Sequence, residues 1–175
     1  EDGTPHNRFG AFGSAIDYTR IGNRYLLLPD RGPADGATSY CCRVHLMDIS
    51  VVRGGTGWDV SAKLVSTTML TDENGAAYVG KASDTESGRR LDPEGIRIAD
   101  DGQFYVSDEY GPSILRFDPS GKRIGAPIVV PDRFRVSSPS GRPDLELRSN
   151  NRGRQPNRGM EGLAITPDGR FLVGI

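Results

Sequence analysis

Four carboxylates fall at matching positions of a repeated segment: Asp30, Glu94, Glu109 and Glu161. Glu94 and Glu161 each open a Glu-Gly-apolar run, while Asp30 and Glu109 each stand two residues before a Gly-Pro pair. Carboxylates drawn to one place repel and raise each other's pKa unless a cation neutralises them. A hard divalent ion with oxygen ligands does this. Calcium suits the set best, because it accepts roughly six to eight oxygens in irregular geometry. Asn157, four residues before Glu161, adds a side-chain carbonyl. The expected metal ligands are therefore Asp30, Glu94, Glu109, Glu161 and Asn157. Around such an ion, Glu94 and Glu161 are the expected catalytic carboxylates. Arg158 and Arg31, both inside the repeated framework, are expected to orient an anionic group through the planar guanidinium fork.

One Glu-Gly alone reads as a strand-opening turn with a solvated carboxylate; its repetition in register with Asp30 and Glu109 favours a site. Asp92, Asp108, Asp118 and Asp168 are assigned to turns, where Asp side chains bond nearby backbone. Most of the arginines between Pro131 and Met160 read as a solvated basic loop. His6 lies in a ragged N-terminal stretch, His45 sits mid-strand, and Trp58 reads as a packing residue. No Gly-x-Ser-x-Gly elbow, phosphate-cradling glycine loop, zinc-ligand spacing or EF-hand pattern is present.

The elements that must position these residues are hairpins. Glu94–Ile98, a turn at Asp100-Asp101-Gly102 and Gln103–Ser107 match Glu161–Ile165, Pro167-Asp168-Gly169 and Arg170–Gly174. β-Forming residues flank a Gly-ended turn in each. A weaker copy begins at Ser14. Ser113–Asp118, a turn at Pro119–Lys122 and Arg123–Val130 extend the middle copy to four antiparallel strands, the layout of a propeller blade. In the first copy Cys41–Ile49 supplies the third strand and Trp58–Leu70 the outer one. The reading is all-β: a β-propeller fragment with one blade at 14–70, a second at 94–130 and the first two strands of a third at 161–175. No helical pattern of useful length is seen. The stretches Thr71–Pro93 and Pro131–Arg158 break the rhythm and read as functional or mobile loops. Two and a half blades cannot close a ring, so a longer protein is expected, with an acidic residue next after Ile175 in the repeat register.

Composition agrees with many tight turns. Among 175 residues, 23 are Gly and 12 are Pro. A formal net charge of −1 argues against nucleic acid or an anionic membrane as partner. No apolar run reaches the length of a membrane-spanning helix. Cys41 and Cys42 are adjacent, so an extended backbone points them apart and they are not expected to pair.

The strings DRGP (30–33), DPEGI (92–96), VSDEYGPSILRFDPSGK (106–122) and NRGMEGLAITPDGR (157–170) closely resemble the phytase-like, esterase-like β-propeller proteins of bacteria. Gly13-Ser14-Ala15-Ile16 loosely resembles that family's first inner strand. The resemblance implies a propeller of about twice this length, a periplasmic or secreted location, and hydrolysis of phosphate or other esters. It carries the family's acidic motif positions onto Asp30, Glu94, Glu109 and Glu161, and its Asn-Arg-Gly onto residues 157–159. The similar gluconolactonase-type propellers place a divalent metal at the channel mouth with Glu, Asn and Asp.

Two functions follow as expectations. One is a metal-dependent hydrolase of a small anionic ester or phosphoester, with Ca2+ at the channel mouth. The alternative is a non-catalytic propeller that binds a ligand or protein through its loop face.

Overall fold

A computed structural model of the chain describes residues 12–175; His6 lies outside them. The first sheet has four antiparallel strands in the order β1 (Phe12–Tyr18), β2 (Arg24–Pro29), β3 (Arg43–Arg53) and β4 (Trp58–Met69). The second repeats that order with β5 (Pro93–Ile98), β6 (Phe104–Asp108), β7 (Ser113–Phe117) and β8 (Ile128–Val129). A third sheet holds two strands, β9 (Leu163–Ile165) and β10 (Leu172–Gly174). Each is a meander, so the fold is all-β and its sheets are those of a propeller fragment.

Alternation explains the strands. In β6 and β7 the apolar residues Phe104, Val106, Leu115 and Phe117 are buried, while Tyr105 and Arg116 point the other way. These side chains join Leu28 and Val44 of the first sheet and Ile96 and Ile98 of β5 in one core. Phe104 stacks on Phe117 at 5.5 Å between ring centroids. The inner strands β1, β5 and β9 lie side by side. Ile98 donates its backbone N–H to the Asp17 carboxylate over 2.7 Å, tying β5 to β1. Gly95 lets β5 approach β9: a Cβ there would stand 2.8 Å from the Leu163 Cβ and 2.7 Å from the Ser107 hydroxyl. Ser107 completes the contact by donating to the Glu161 carbonyl at 3.2 Å.

Several sequence expectations are corrected. Residues 71–93 do not form a free loop: Tyr78 and Leu91 enter the core, and Val79 bridges both Cys41 and Arg90. The chain uses this segment as filler between blades. Cys41 makes only an isolated bridge, so the third strand starts at Arg43 and runs past Ile49 to Arg53. The strand expected over Arg123–Val130 shrinks to Ile128–Val129, because Arg123 bridges Phe117 and Ile124 donates to the Arg116 carbonyl before the chain turns away. A short helix, α1 (Pro143–Ser149), interrupts the second insert. Trp58 packs on little; it is 69% exposed at the start of β4. Both cysteines are free, Cys42 buried and Cys41 half-buried.

Candidate functional site at the rim of the inner strands

The second strand of each full blade ends beside the start of its inner strand, so Asp30, after β2, and Glu109, after β6, reach the same rim as Glu94 at the start of β5. Glu161 arrives on the segment leading into β9. One oxygen from each of Asp30, Asp92 and Glu94 lies within 4.8 Å of the other two. Glu94 also feels the charges of Glu161 and Glu109. Below the rim, a cleft of about 440 Å³ runs between the inner strands, lined by Ser14 and Ile16, Glu94 and Arg97, and Glu161 and Leu163.

Arg31 is the cation at the centre. Its side chain is 9% exposed. Nη1 bonds the Asp92 carboxylate and lies 3.6 Å from Glu109 Oε2. Nε donates to Asp35 at 2.9 Å, and Nη2 donates to Asp35 and, at 2.7 Å, to Asn157 Oδ1. Every guanidinium nitrogen is engaged, so Arg31 holds protein carboxylates rather than presenting a free fork. Burial alone would lower its pKa; Asp92 and Asp35 outweigh that and secure the charge. Asp92 is contested. Burial first, and then the neighbouring Asp30 carboxylate, push its pKa upward against the pull of Arg31.

Glu109 is 1% exposed and both of its oxygens are committed. Oε1 accepts the Gly159 N–H at 2.9 Å, and Oε2 faces Arg31. Glu94 is half-buried; burial first, then Asp30, Glu161 and Glu109, lift its pKa to about 8. Glu161 is exposed, and its pKa is raised by partial burial and then by Glu109 and Asp30. Asp108 is a buried turn anchor that accepts the backbone N–H groups of Asp92, Tyr110 and Gly111. Asp118 and Asp168 likewise serve exposed turns, accepting from Lys122 and Arg170.

The structure thus gathers Asp30, Glu94, Glu109, Glu161, Arg31 and Asn157, and adds Asp92, whose Asp-Pro context reads as a turn. Arg158 is apart. It is exposed, has no side-chain partner among the described residues, and lines a larger cavity of about 800 Å³ with Val129, Phe134 and Met160. That cavity lies beside the carboxylates and shares Gly159 with them. Its lining is mostly apolar, with Arg154 and Arg158 among the residues around it.

Residues 7–175 match the phytase-like family described by the esterase-like activity of phytase. The chain belongs to the phytase-like family. A relative of this phytase-like chain is an uncharacterized secreted protein of Arthroderma benhamiae, 29% identical over 194 residues. The match takes in 83% of this chain and 38% of that protein, so the phytase-like chain spans about two fifths of its relative's length. No solved structure matches it. No helix among the described residues is long and apolar enough to cross a membrane.

The residues of the rim fit a hard cation. Five carboxylates (Asp30, Asp92, Glu94, Glu109 and Glu161) meet one buried guanidinium, and the Asp92 Oδ1 atom is buried with no partner. All available donors are oxygens, the ligand type that calcium and magnesium take.

Proposed function

We propose that the protein is a metal-dependent hydrolase of phosphate or other esters, with Ca2+ held at the rim of the inner strands. The convergence of Asp30, Asp92 and Glu94 within 4.8 Å carries this reading. The family's esterase-like description supports the reaction class. When bound, a divalent ion there polarises a carbonyl or phosphoryl oxygen and lowers the pKa of water. Glu161, exposed at the mouth, accepts the proton of the attacking water. Glu94 holds the ion and, being half-buried, keeps bulk water away from it. Arg31 fixes Asp92 and Asn157 in place. Arg158, free at the edge of the neighbouring cavity, meets the anionic part of the substrate. The product acid and alcohol leave through the open rim.

Hydrolysis of a generic phosphomonoester and a generic carboxylic ester by the full-length protein tests this. Activity that EDTA abolishes and Ca2+ restores is expected on at least one substrate, with Glu94→Gln and Glu161→Gln each falling about 100-fold or more. Chelator-insensitive turnover, or none on either substrate, removes the reading. The relative's secreted nature supports export of this chain to the periplasm or beyond.

A second reading has its own observation. The 800 Å³ cavity lined by Val129, Phe134 and Met160 is of ligand-binding size and apolar. A non-catalytic propeller would use it to bind a ligand or protein on the loop face. Binding there survives Glu94→Gln and Glu161→Gln, whereas catalysis does not.

A further inference from the structure

We propose that Asp92 is the innermost ligand of the divalent-cation site, completing a set with Asp30 and Glu94, while Glu109 and Asn157 are positioning residues that never touch the ion. This rests on the metal-dependent reading above and goes further by naming the ligand set.

Asp92 is fully buried, at 0% exposure. Its Oδ2 is bonded by the Arg31 guanidinium, but its Oδ1 has no partner. A buried carboxylate oxygen without a partner is costly, and native proteins rarely leave one so. A proton shared between Asp30 and Asp92 would satisfy those two groups. It would engage no oxygen of Glu94, which lies within 4.8 Å of both. One cation takes all three. The spread of up to 4.8 Å fits a calcium sphere, where opposite ligands at roughly 2.3–2.6 Å from the ion stand about 4.6–5.2 Å apart.

Arg31 shapes the set from behind. Its backbone N–H bonds Asp30 Oδ1 and its side chain bonds Asp92 Oδ2. One oxygen of each carboxylate is thereby tied, and its orientation fixed, as outer-shell partners do for metal ligands. Of the other three expected ligands, Glu161 stands exposed at the mouth as the proton acceptor, and Glu109 and Asn157 are engaged elsewhere. Glu109 Oε1 accepts from Gly159 and its Oε2 faces Arg31, while Asn157 Oδ1 accepts from Arg31. Glu109 lies outside the group of three converging oxygens, and turning the Asn157 carbonyl to the ion would release Arg31, which holds Asp92.

The test is Ca2+ binding to the full chain by titration calorimetry, with the Ca2+-dependent rise in melting temperature as a second readout. Wild type is expected to bind. Asp92→Asn and Asp30→Asn should each weaken binding at least about tenfold and lose the thermal shift, while Asn157→Ala should change affinity less than about threefold. Should Asp92→Asn fail to fold, Asp30→Asn keeps the Arg31–Asp92 pair, and Asp92→Glu keeps the charge while displacing the oxygen; both carry the same expectation of lost binding. If wild type binds Ca2+ and these variants bind it equally well, the ligand set is wrong although metal dependence stands. If Asn157→Ala alone abolishes binding, the set is likewise wrong. Absence of binding to wild type overturns both the set and the metal-dependent reading.

Discussion

Gly159 donates its backbone N–H to Glu109 Oε1 over 2.9 Å, and a Cβ on Gly159 would stand 2.4 Å from Glu109 Cγ. The end of the second insert is thus pressed onto the second blade at the rim. No side chain fits between them. Gly159→Ala should destabilise the protein by about 1–3 kcal/mol, as overpacking does. Urea denaturation measures it, and an unchanged midpoint would contradict the contact.

Arg31 neutralises Asp92 and Glu109, both essentially buried. Arg31→Met should cost about 3–5 kcal/mol, since it strands buried charge. Arg31→Lys keeps the charge and loses the fork, so an intermediate loss is expected. Saturating Ca2+ should recover part of the deficit in both, because a second cation offsets the same carboxylates. Thermal melts with and without Ca2+ decide the matter; a deficit that ignores the ion would count against a shared field.

The raised pKa of Glu94 sets a pH window. Its unfolded carboxyl titrates near the ordinary 4.5, and its folded one at about 8. Between those values the folded state binds more protons than the unfolded state, so stability falls as pH rises. Melting temperature without divalent ions should therefore decline from about pH 5 to about pH 8 by this contribution. Glu94→Gln should flatten that slope. A slope identical in the variant would assign the effect to other groups.

Glu146 and Arg154 form a buried pair at 3.0 Å, with side chains 2% and 5% exposed. Glu146 Oε2 also accepts the Ser140 N–H at 2.8 Å. This pair folds the second insert against itself. Glu146→Gln should cost about 3–5 kcal/mol locally. Hydrogen exchange across residues 137–150 should rise while the strands β5–β7 keep their protection. Exchange that rises uniformly would mean the pair supports the whole domain instead.

The blades were legible because their signal is local and repeated: Gly-ended turns at fixed offsets between alternating strands. The rim carboxylates Asp30, Glu94, Glu109 and Glu161 were legible for the same reason. Asp92 was not. In the repeat register it aligns with Gly159, so the copies gave it no second carboxylate. Its Asp-Pro context also reads as a turn. Only Arg31, distant in sequence, shows that its charge matters. Residues 71–93 were misread because Tyr78 and Leu91 enter the core singly, without a strand's alternation. Helix α1 is too short for helical periodicity to register. Its signal was Pro143 at the first turn, with Asp144 and Glu146 behind it. Arg158 kept its place in the repeat, but its side chain faces a cavity that no sequence period describes.

The rim borrows from four separated stretches: residues 30–31, 92–94, 109 and 157–161. None of the three sheets holds the proposed ligand set by itself. If the ion binds as proposed, its ligands Asp30, Asp92 and Glu94 come from two of these stretches, so a chain whose blades have come apart holds only part of the set and the ion favours the stacked arrangement. Calcium in the surroundings would then act as a checkpoint on assembly, favouring the docked blades by mass action with a free energy that grows as the logarithm of its concentration above the dissociation constant.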